Sequence, residues 1–271
     1  MTEGRAGPTE VSAPAKLTLS LEVTGTRGDG YHLLRAEMVT VDLADTLIIE
    51  EGRGLTLSSE TTQGGAGWWD GSLSAGDDNL VARALAATGR TARVHVIKRI
   101  PPGAGLGGGS TDAAAILRWA DCTDRNVAVR LGADVPFCLA GGRAMVGGVG
   151  EEVEALPFEE RQFTLLLVPF GVDTGAVYRV WDGLADRKGR PGQQSEPNQL
   201  EAAAMIVEPR LARWRAGFEK LTGRRPLLAG SGSTWFVEAF LEELGLGDRR
   251  SVSLDGEEAQ LVPVRTIPPL P

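Results

Sequence analysis

The run Pro101-Pro102-Gly103-Ala104-Gly105-Leu106-Gly107-Gly108-Gly109-Ser110-Thr111-Asp112-Ala113-Ala114 constrains this chain more than any other segment. Five of the seven residues from Gly103 to Gly109 are glycine, so the backbone there can curl closely around a ligand. Upstream, the alternation Ala92-Arg93-Val94-His95-Val96-Ile97 predicts a strand. Downstream, Ala113, Ala114 and Ala115 lead into Ile116, Leu117 and Trp119, which predicts a helix over 113–120 capped by Ser110, Thr111 or Asp112. A strand, a glycine loop and a helix start together offer an anion free N–H groups and the positive end of a helix dipole. Phosphate is the natural anion, and two hydroxyls followed by a carboxylate are groups suited to a nucleotide phosphate or its magnesium. No Gly-Lys-Ser/Thr follows the loop, so it is not a Walker loop, and its triple glycine does not suit a dinucleotide turn.

The bulk numbers narrow the class. At 271 residues the chain has room for one large domain or two sharing a cleft. Apolar residues make up 42% and charged residues 24%, as in soluble globular proteins. No long apolar run predicts a membrane span. A net charge of −8 argues against a nucleic-acid surface, although a local loop and a lysine or two can bind phosphate in an acidic protein. Cys122 and Cys138 form no close pair, and with two histidines in the chain neither a disulfide nor a structural zinc site is expected.

Strands are predicted over Val11–Val23, Leu34–Val41, Thr46–Glu50, Phe163–Val168 and Val252–Val264, with a turn and strand from Leu131 to Val146. Asn79–Thr88 has helical spacing, with Asp77 or Asp78 as cap, and Asn198–Phe218 reads as helix interrupted by Pro209. Asp182–Ser195 reads as a linker, residues 1–10 as a disordered lead-in, and Trp68-Trp69 as cover for a core edge. The mixture indicates an α+β protein.

Several residues have an ordinary reading of their own. Lys16, in Pro14-Ala15-Lys16-Leu17-Thr18-Leu19, reads as a charge pointing outward from a half-exposed strand. Asp134, before Val135-Pro136, reads as a turn former, and Asn79 as a helix cap. The Ala229-Gly230-Ser231-Gly232-Ser233-Thr234 segment reads as a tight turn, His95 as a strand residue, and the cysteines as buried fillers. Tyr31 and His32 follow an Asp-Gly turn, and an aromatic beside an imidazole suits a nucleobase pocket.

Taken together these segments, spread from about residue 12 to 236, resemble the GHMP kinases, the family of galactokinase, homoserine kinase and mevalonate kinase. The likeness is greatest to the branch acting on a cytidine diphosphate-linked methylerythritol in the non-mevalonate route to isoprenoid precursors. It implies a two-domain fold, with a ribosomal-protein-S5-like domain at residues 11–157, a ferredoxin-like α/β domain at 158–271, and the active site in the cleft between them. It implies ATP as co-substrate, bound by Pro102, Gly103, Ala104, Gly105, Leu106, Gly107, Gly108, Gly109, Ser110, Thr111 and Asn79, with Mg²⁺ on Ser110. Lys16 and Asp134 become catalytic: the lysine neutralises charge on the transferred phosphoryl group and the aspartate acts as general base.

By the same likeness Thr18, Gly230 and Ser231 meet the acceptor, and Tyr31, His32 and Tyr178 recognise cytosine, the two tyrosines flanking the base. The implied setting is cytoplasmic, as a monomer or weak homodimer without nucleic-acid or membrane partners. Two departures stand out. Thr18 replaces an asparagine of the family pattern, and the helical segment between Asp112 and Leu131 is short. They leave open a kinase of another small alcohol, or an impaired nucleotide-binding relative.

Overall fold

The computed structural model describes residues 7–60, 73–188 and 196–270, so the Trp68-Trp69 pair lies outside the described residues. Its strands are β1 (Thr9–Thr26), β2 (His32–Glu50), β3 (Gly54–Ser59), β4 (Arg93–Lys98), β5 (Arg143–Gly148), β6 (Glu152–Ala155), β7 (Gln162–Leu167), β8 (Leu227–Leu228), β9 (Trp235–Val237), β10 (Ser251–Leu254) and β11 (Glu257–Arg265). The helices are α1 (Leu80–Thr88), α2 (Gly108–Trp119), α3 (Arg125–Leu131), α4 (Val135–Ala140), α5 (Thr174–Lys188), α6 (Glu201–Val207) and α7 (Arg210–Thr222).

Two sheets share the chain. The first runs β3-β4-β2-β5-β6, with β1 pairing β2, and the second runs β10-β11-β7-β9-β8. Every pairing is antiparallel except β3 with β4.

The long β2 organises the first sheet because different stretches of it pair with β1, β4 and β5. Two separate strands were expected here, broken by Asp42-Leu43-Ala44-Asp45, but the strand continues. Asp45 takes an inward register position beside Leu43, Leu47 and Ile49 and is fully buried. Its carboxylate accepts from the N–H groups of Arg99 and Ile100, which makes an inward charge tolerable in a strand.

β1 is buried on both faces from Ala13 to Leu19. Ala15, Leu17 and Leu19 enter a core shared with Phe163, Leu165 and Leu167 of β7, while Lys16 and Thr18 alternate onto the opposite face. Register shifts on either side of this stretch mark β-bulges that re-aim its side chains.

Helix α2 starts at Gly108, five residues earlier than expected, and Ser110, Thr111 and Asp112 lie inside it rather than capping it. Its buried face runs unbroken from Thr111 to Leu117, and it packs against β1, α1 and α4. Three alanines in that run let the neighbours approach closely. Burying Ile116 and Leu117 stabilises the packing by about 1.5–3 kcal/mol each.

Other expectations also shift. Asn79 itself caps α1, in place of Asp77 or Asp78. The segment after Asp134 is helix α4, because Pro136 suits a first helical turn. Asp182–Lys188 belong to α5 rather than to a linker, and the rest of that stretch lies outside the described residues. The break at Pro209 separates α6 from α7 as expected.

Candidate active site

A cleft of about 550 Å³ opens where the glycine loop meets β1, α5 and the Ala229–Thr234 turn. Pro102 to Ser110 all line it, as do Lys16, Thr18, Asn79, Asp134, Tyr178, Gly230 and Ser231. One apolar group, Leu57, Leu73, Leu80 and Ile100, comes from β3, α1 and the segments beside them. A second, Leu21, Leu34, Met38 and Leu200, comes from β1, β2 and the start of α6.

The loop's shape depends on three left-handed glycines, Gly103, Gly105 and Gly107. At Gly105 (φ 75°) a Cβ would lie 2.2 Å from the Ala229 carbonyl oxygen, and at Gly107 (φ 71°) it would lie 2.8 Å from Lys16 Cγ. Backbone therefore packs on backbone: Ser233 and Thr234 donate to the carbonyls of Gly103 and Ala104. Gly107 is also the N-cap of α2, and no side chain caps that helix. The N–H groups of its first turn are left for an anion.

Thr111 differs from its expected role. Its hydroxyl donates to the Pro14 carbonyl at 2.6 Å in the core, and it does not line the cleft. Asn79 lines the cleft, but its side chain is engaged in capping, accepting from Val81 N–H and donating to the Ser74 carbonyl.

Lys16 is only 5% exposed, contrary to the outward charge its strand context predicts. Its Nζ lies 3.3 Å from Asp134 Oδ2 and 3.2 Å from Thr18 Oγ1, and its main-chain N–H donates to the Leu106 carbonyl. One β-strand residue thus meets the glycine loop through its backbone and Asp134 through its side chain. Asp134 precedes α4 without capping it, and its side chain, 33% exposed, stays accessible from the cleft. Gly230 lies beside Lys16 Nζ, and Ser231 Oγ is 2.8 Å from Thr174 Oγ1.

Beneath the start of α2 lies a buried cluster that the sequence reading missed. Lys98 Nζ bonds Asp45 and, at 2.5 Å, Asp112 Oδ2, so the Asp112 carboxylate is committed to a lysine. The other Asp112 oxygen is buried without a partner. Register offered the signal, since Lys98 follows the buried Val94 and Val96 in strict alternation. Burial pushes the Asp112 carboxyl up to about 7, with Lys98 opposing the rise and Asp45 adding to it.

Because the folded-state value is raised, the folded protein holds the proton more tightly than the unfolded chain does. Its contribution is complete below the unfolded value of 3.8 and is lost as pH rises toward about 7. Asp112→Asn should therefore match the wild type in acid and become relatively more stable across that window, by on the order of a few kcal/mol. Denaturant melts of both proteins from pH 4 to 8 measure the difference.

At the far end the aromatic groups are arranged differently from the expected sandwich. His32 stacks on Tyr178, with ring centroids 4.6 Å apart and planes at 22°, so the imidazole itself occupies one face of that tyrosine. Tyr31 is 63% exposed at the hairpin end, with the Arg27 guanidinium 5.4 Å from its ring centre, and it does not line the cleft. Burial and the Asp134 charge push the Tyr178 hydroxyl above its ordinary range, so the phenol stays neutral.

A lysine–aspartate pair beside a phosphate-shaped loop, in a cleft with two apolar ends, defines a small-molecule phosphotransferase. Comparison with known proteins agrees. The family profile described as the GHMP kinases N terminal domain matches residues 79–142. The chain is 37% identical over 243 residues to a 4-diphosphocytidyl-2-C-methyl-D-erythritol kinase of Paracoccus denitrificans, covering 83% of this chain and 85% of that one. A Cereibacter sphaeroides protein of the same name is 33% identical, with 96% and 99% covered. The crystal structure of a 4-(cytidine 5'-diphospho)-2C-methyl-D-erythritol kinase superposes with a TM-score of 0.67 at 30% identity, over 96% of this chain and all of that one. The chain belongs to the GHMP kinase family, within the group that carries this name, and is a small-molecule kinase. Among the described residues no helix is long and apolar enough to cross a membrane.

Proposed function

We propose that the protein transfers the γ-phosphoryl group of ATP to the 2-hydroxyl of 4-diphosphocytidyl-2-C-methyl-D-erythritol, on the route to isoprenoid precursors. The observation that carries this reading is Lys16 Nζ held 3.3 Å from Asp134 Oδ2 beside the glycine loop. The names of relatives at 33–37% identity support the choice of acceptor. The two halves of the chain, 11–157 and 158–271, would act as domains on either side of the cleft, in a cytoplasmic enzyme.

Phosphoryl transfer asks mainly for alignment and charge neutralisation. The loop and the first turn of α2 would cradle the β- and γ-phosphates through main-chain N–H groups. The apolar group around Leu57, Leu80 and Ile100 suits the adenine. Asp134 would accept the proton of the acceptor hydroxyl as its oxygen bonds to the γ-phosphorus and the bond to ADP breaks. Lys16 would stabilise the charge spread over the transferred group and keep Asp134 ionised. Thr18, within hydrogen-bond reach of Lys16, and the Gly230-Ser231 turn would contact the erythritol chain, while His32 and Tyr178 would serve the cytosine. Tyr31 would join them only by folding in from solvent.

Magnesium fits as a companion of the triphosphate. Among the described residues no three acidic, histidine or cysteine side chains converge to hold a metal, and this ion usually binds through substrate phosphates and few protein groups. The Ser110 hydroxyl, at the cleft wall, would be its protein ligand, and the ion would supply charge neutralisation.

A coupled ADP-release assay with Mg-ATP tests the reading, using the cytidylated acceptor and the uncytidylated erythritol phosphate in parallel. ADP release with the first alone is expected. Release with neither, from folded protein that binds ATP, would refute the assignment.

A further inference from the structure

Residues 197–199 add a short parallel rung to β1. Leu21 N–H donates to the Pro197 carbonyl at 2.8 Å, Gln199 N–H donates to the Leu21 carbonyl at 3.0 Å, and Gln199 Oε1 accepts from Val23 N–H. Asn198, in the middle of this rung, is only 4% exposed. Its Nδ2 donates to the carbonyls of Leu228 at 2.8 Å and Gly230 at 2.6 Å, while Oδ1 accepts from Leu200 N–H at 2.9 Å. These partners fix the orientation of the amide, since carbonyls only accept and a main-chain N–H only donates.

The Gly230 end of this link lies at the reacting groups. Gly230 has a left-handed backbone (φ 58°), and a Cβ built on it would lie 3.4 Å from Lys16 Nζ and 3.8 Å from Thr18 Oγ1. Asn198 itself does not line the cleft, although its neighbour Leu200 and its strand partner Leu21 do. The link is therefore a closed circuit: β1 holds the 197–199 rung, the Asn198 amide holds the turn, and the turn returns to Lys16 on β1. Two hydrogen bonds from one amide to carbonyls two residues apart keep the turn from pivoting. Removing a buried donor of this kind is costly, because both carbonyls lose it together.

We infer that Asn198 is a positioning residue for phosphoryl transfer: it holds the Gly230–Ser231 turn over Lys16 and Thr18, so that the acceptor hydroxyl is aligned with Asp134. The inference rests on the proposed kinase reading, in which that turn contacts the acceptor, and adds the residue behind the cleft wall that sets the turn's place. The phosphate loop is braced separately, since the Ser233 and Thr234 N–H groups hold the carbonyls of Gly103 and Ala104. Asn198 should thus govern turnover and leave ATP binding alone.

Asn198→Asp tests this in the full chain. The substitution keeps the size of the side chain and the acceptor for Leu200, but an ionised carboxylate has no hydrogen to give the two carbonyls. With Mg-ATP and the cytidylated acceptor, kcat is expected to fall about a hundredfold, with ATP affinity by calorimetry held within about threefold. Asn198→Ser keeps one hydroxyl donor and should lose about tenfold in kcat. It serves equally if the aspartate variant fails to fold.

A kcat within about threefold of the wild type in either variant would overturn the inference alone. So would an ATP affinity that falls in step with kcat and with the unfolding midpoint, which would assign Asn198 to the fold. If the wild type itself releases no ADP with the cytidylated acceptor, the proposed reaction and the inference fall together.

Discussion

Asp134→Ala is expected to lower turnover by about two to four orders of magnitude while leaving ATP affinity within about threefold. Its carboxylate is placed for the acceptor hydroxyl, one lysine away from the phosphate loop. Lys16 is buried while Asp134 is partly exposed. Removing the aspartate therefore leaves a buried ammonium without its counter-charge, with Thr18 Oγ1 still in reach. The melting midpoint should fall along with the activity. Steady-state kinetics together with ATP binding by calorimetry measure both quantities, and turnover within tenfold of the wild type would remove Asp134 from the mechanism.

Gly105→Ala should do more general damage. The new methyl would meet the Ala229 carbonyl oxygen at 2.2 Å and the Gly232 carbonyl oxygen at 2.7 Å, both main-chain atoms that cannot swing aside. Its backbone conformation (φ 75°) adds strain for any residue with a Cβ. Together these should cost about 2–5 kcal/mol of stability and pull the loop off the turn that braces it, with loss of ATP binding. Gly183→Ala on α5 is the control: nothing lies within 4 Å of the added methyl, and alanine in a helix should stabilise by up to about 1 kcal/mol. Thermal melts and ATP titration of the two variants provide the contrast.

These two variants also show what each level of description contributes. The loop and its downstream helix are legible from residue types alone, because so many glycines in so few residues before a run of alanines admit few other backbones. The place of Asp134 in the site is legible only by resemblance. On its own statistics it is a turn residue, and nothing local says that Lys16, more than a hundred positions earlier, lies against it. Lys16 in isolation reads as an exposed charge. It is buried because β1 is covered on both faces, by the β7 core on one side and by the loop on the other.

The misreadings follow from the same cause. Asp45 looked like a strand break because a carboxylate in a strand interior is costly. Lys98 and two main-chain N–H groups removed that cost from β4 and the segment after it. Ser110, Thr111 and Asp112 looked like caps because such residues favour helix starts. The loop glycines carried the helix further back, and the threonine and aspartate were taken up by Pro14 and Lys98. The aromatic end misled in another way: two tyrosines suggested a sandwich, but packing set the histidine against Tyr178 and left Tyr31 in solvent.

By itself the sequence determined the phosphate loop, the helix behind it, the α+β class and, through resemblance, the family, because each of these depends on residues close together in the chain. Tertiary structure decided which charges are buried, which oxygens face the cleft and which carbonyls the Asn198 amide holds. Those outcomes depend on partners distant in sequence, and the free energy of a buried polar group is set by the partner it finds.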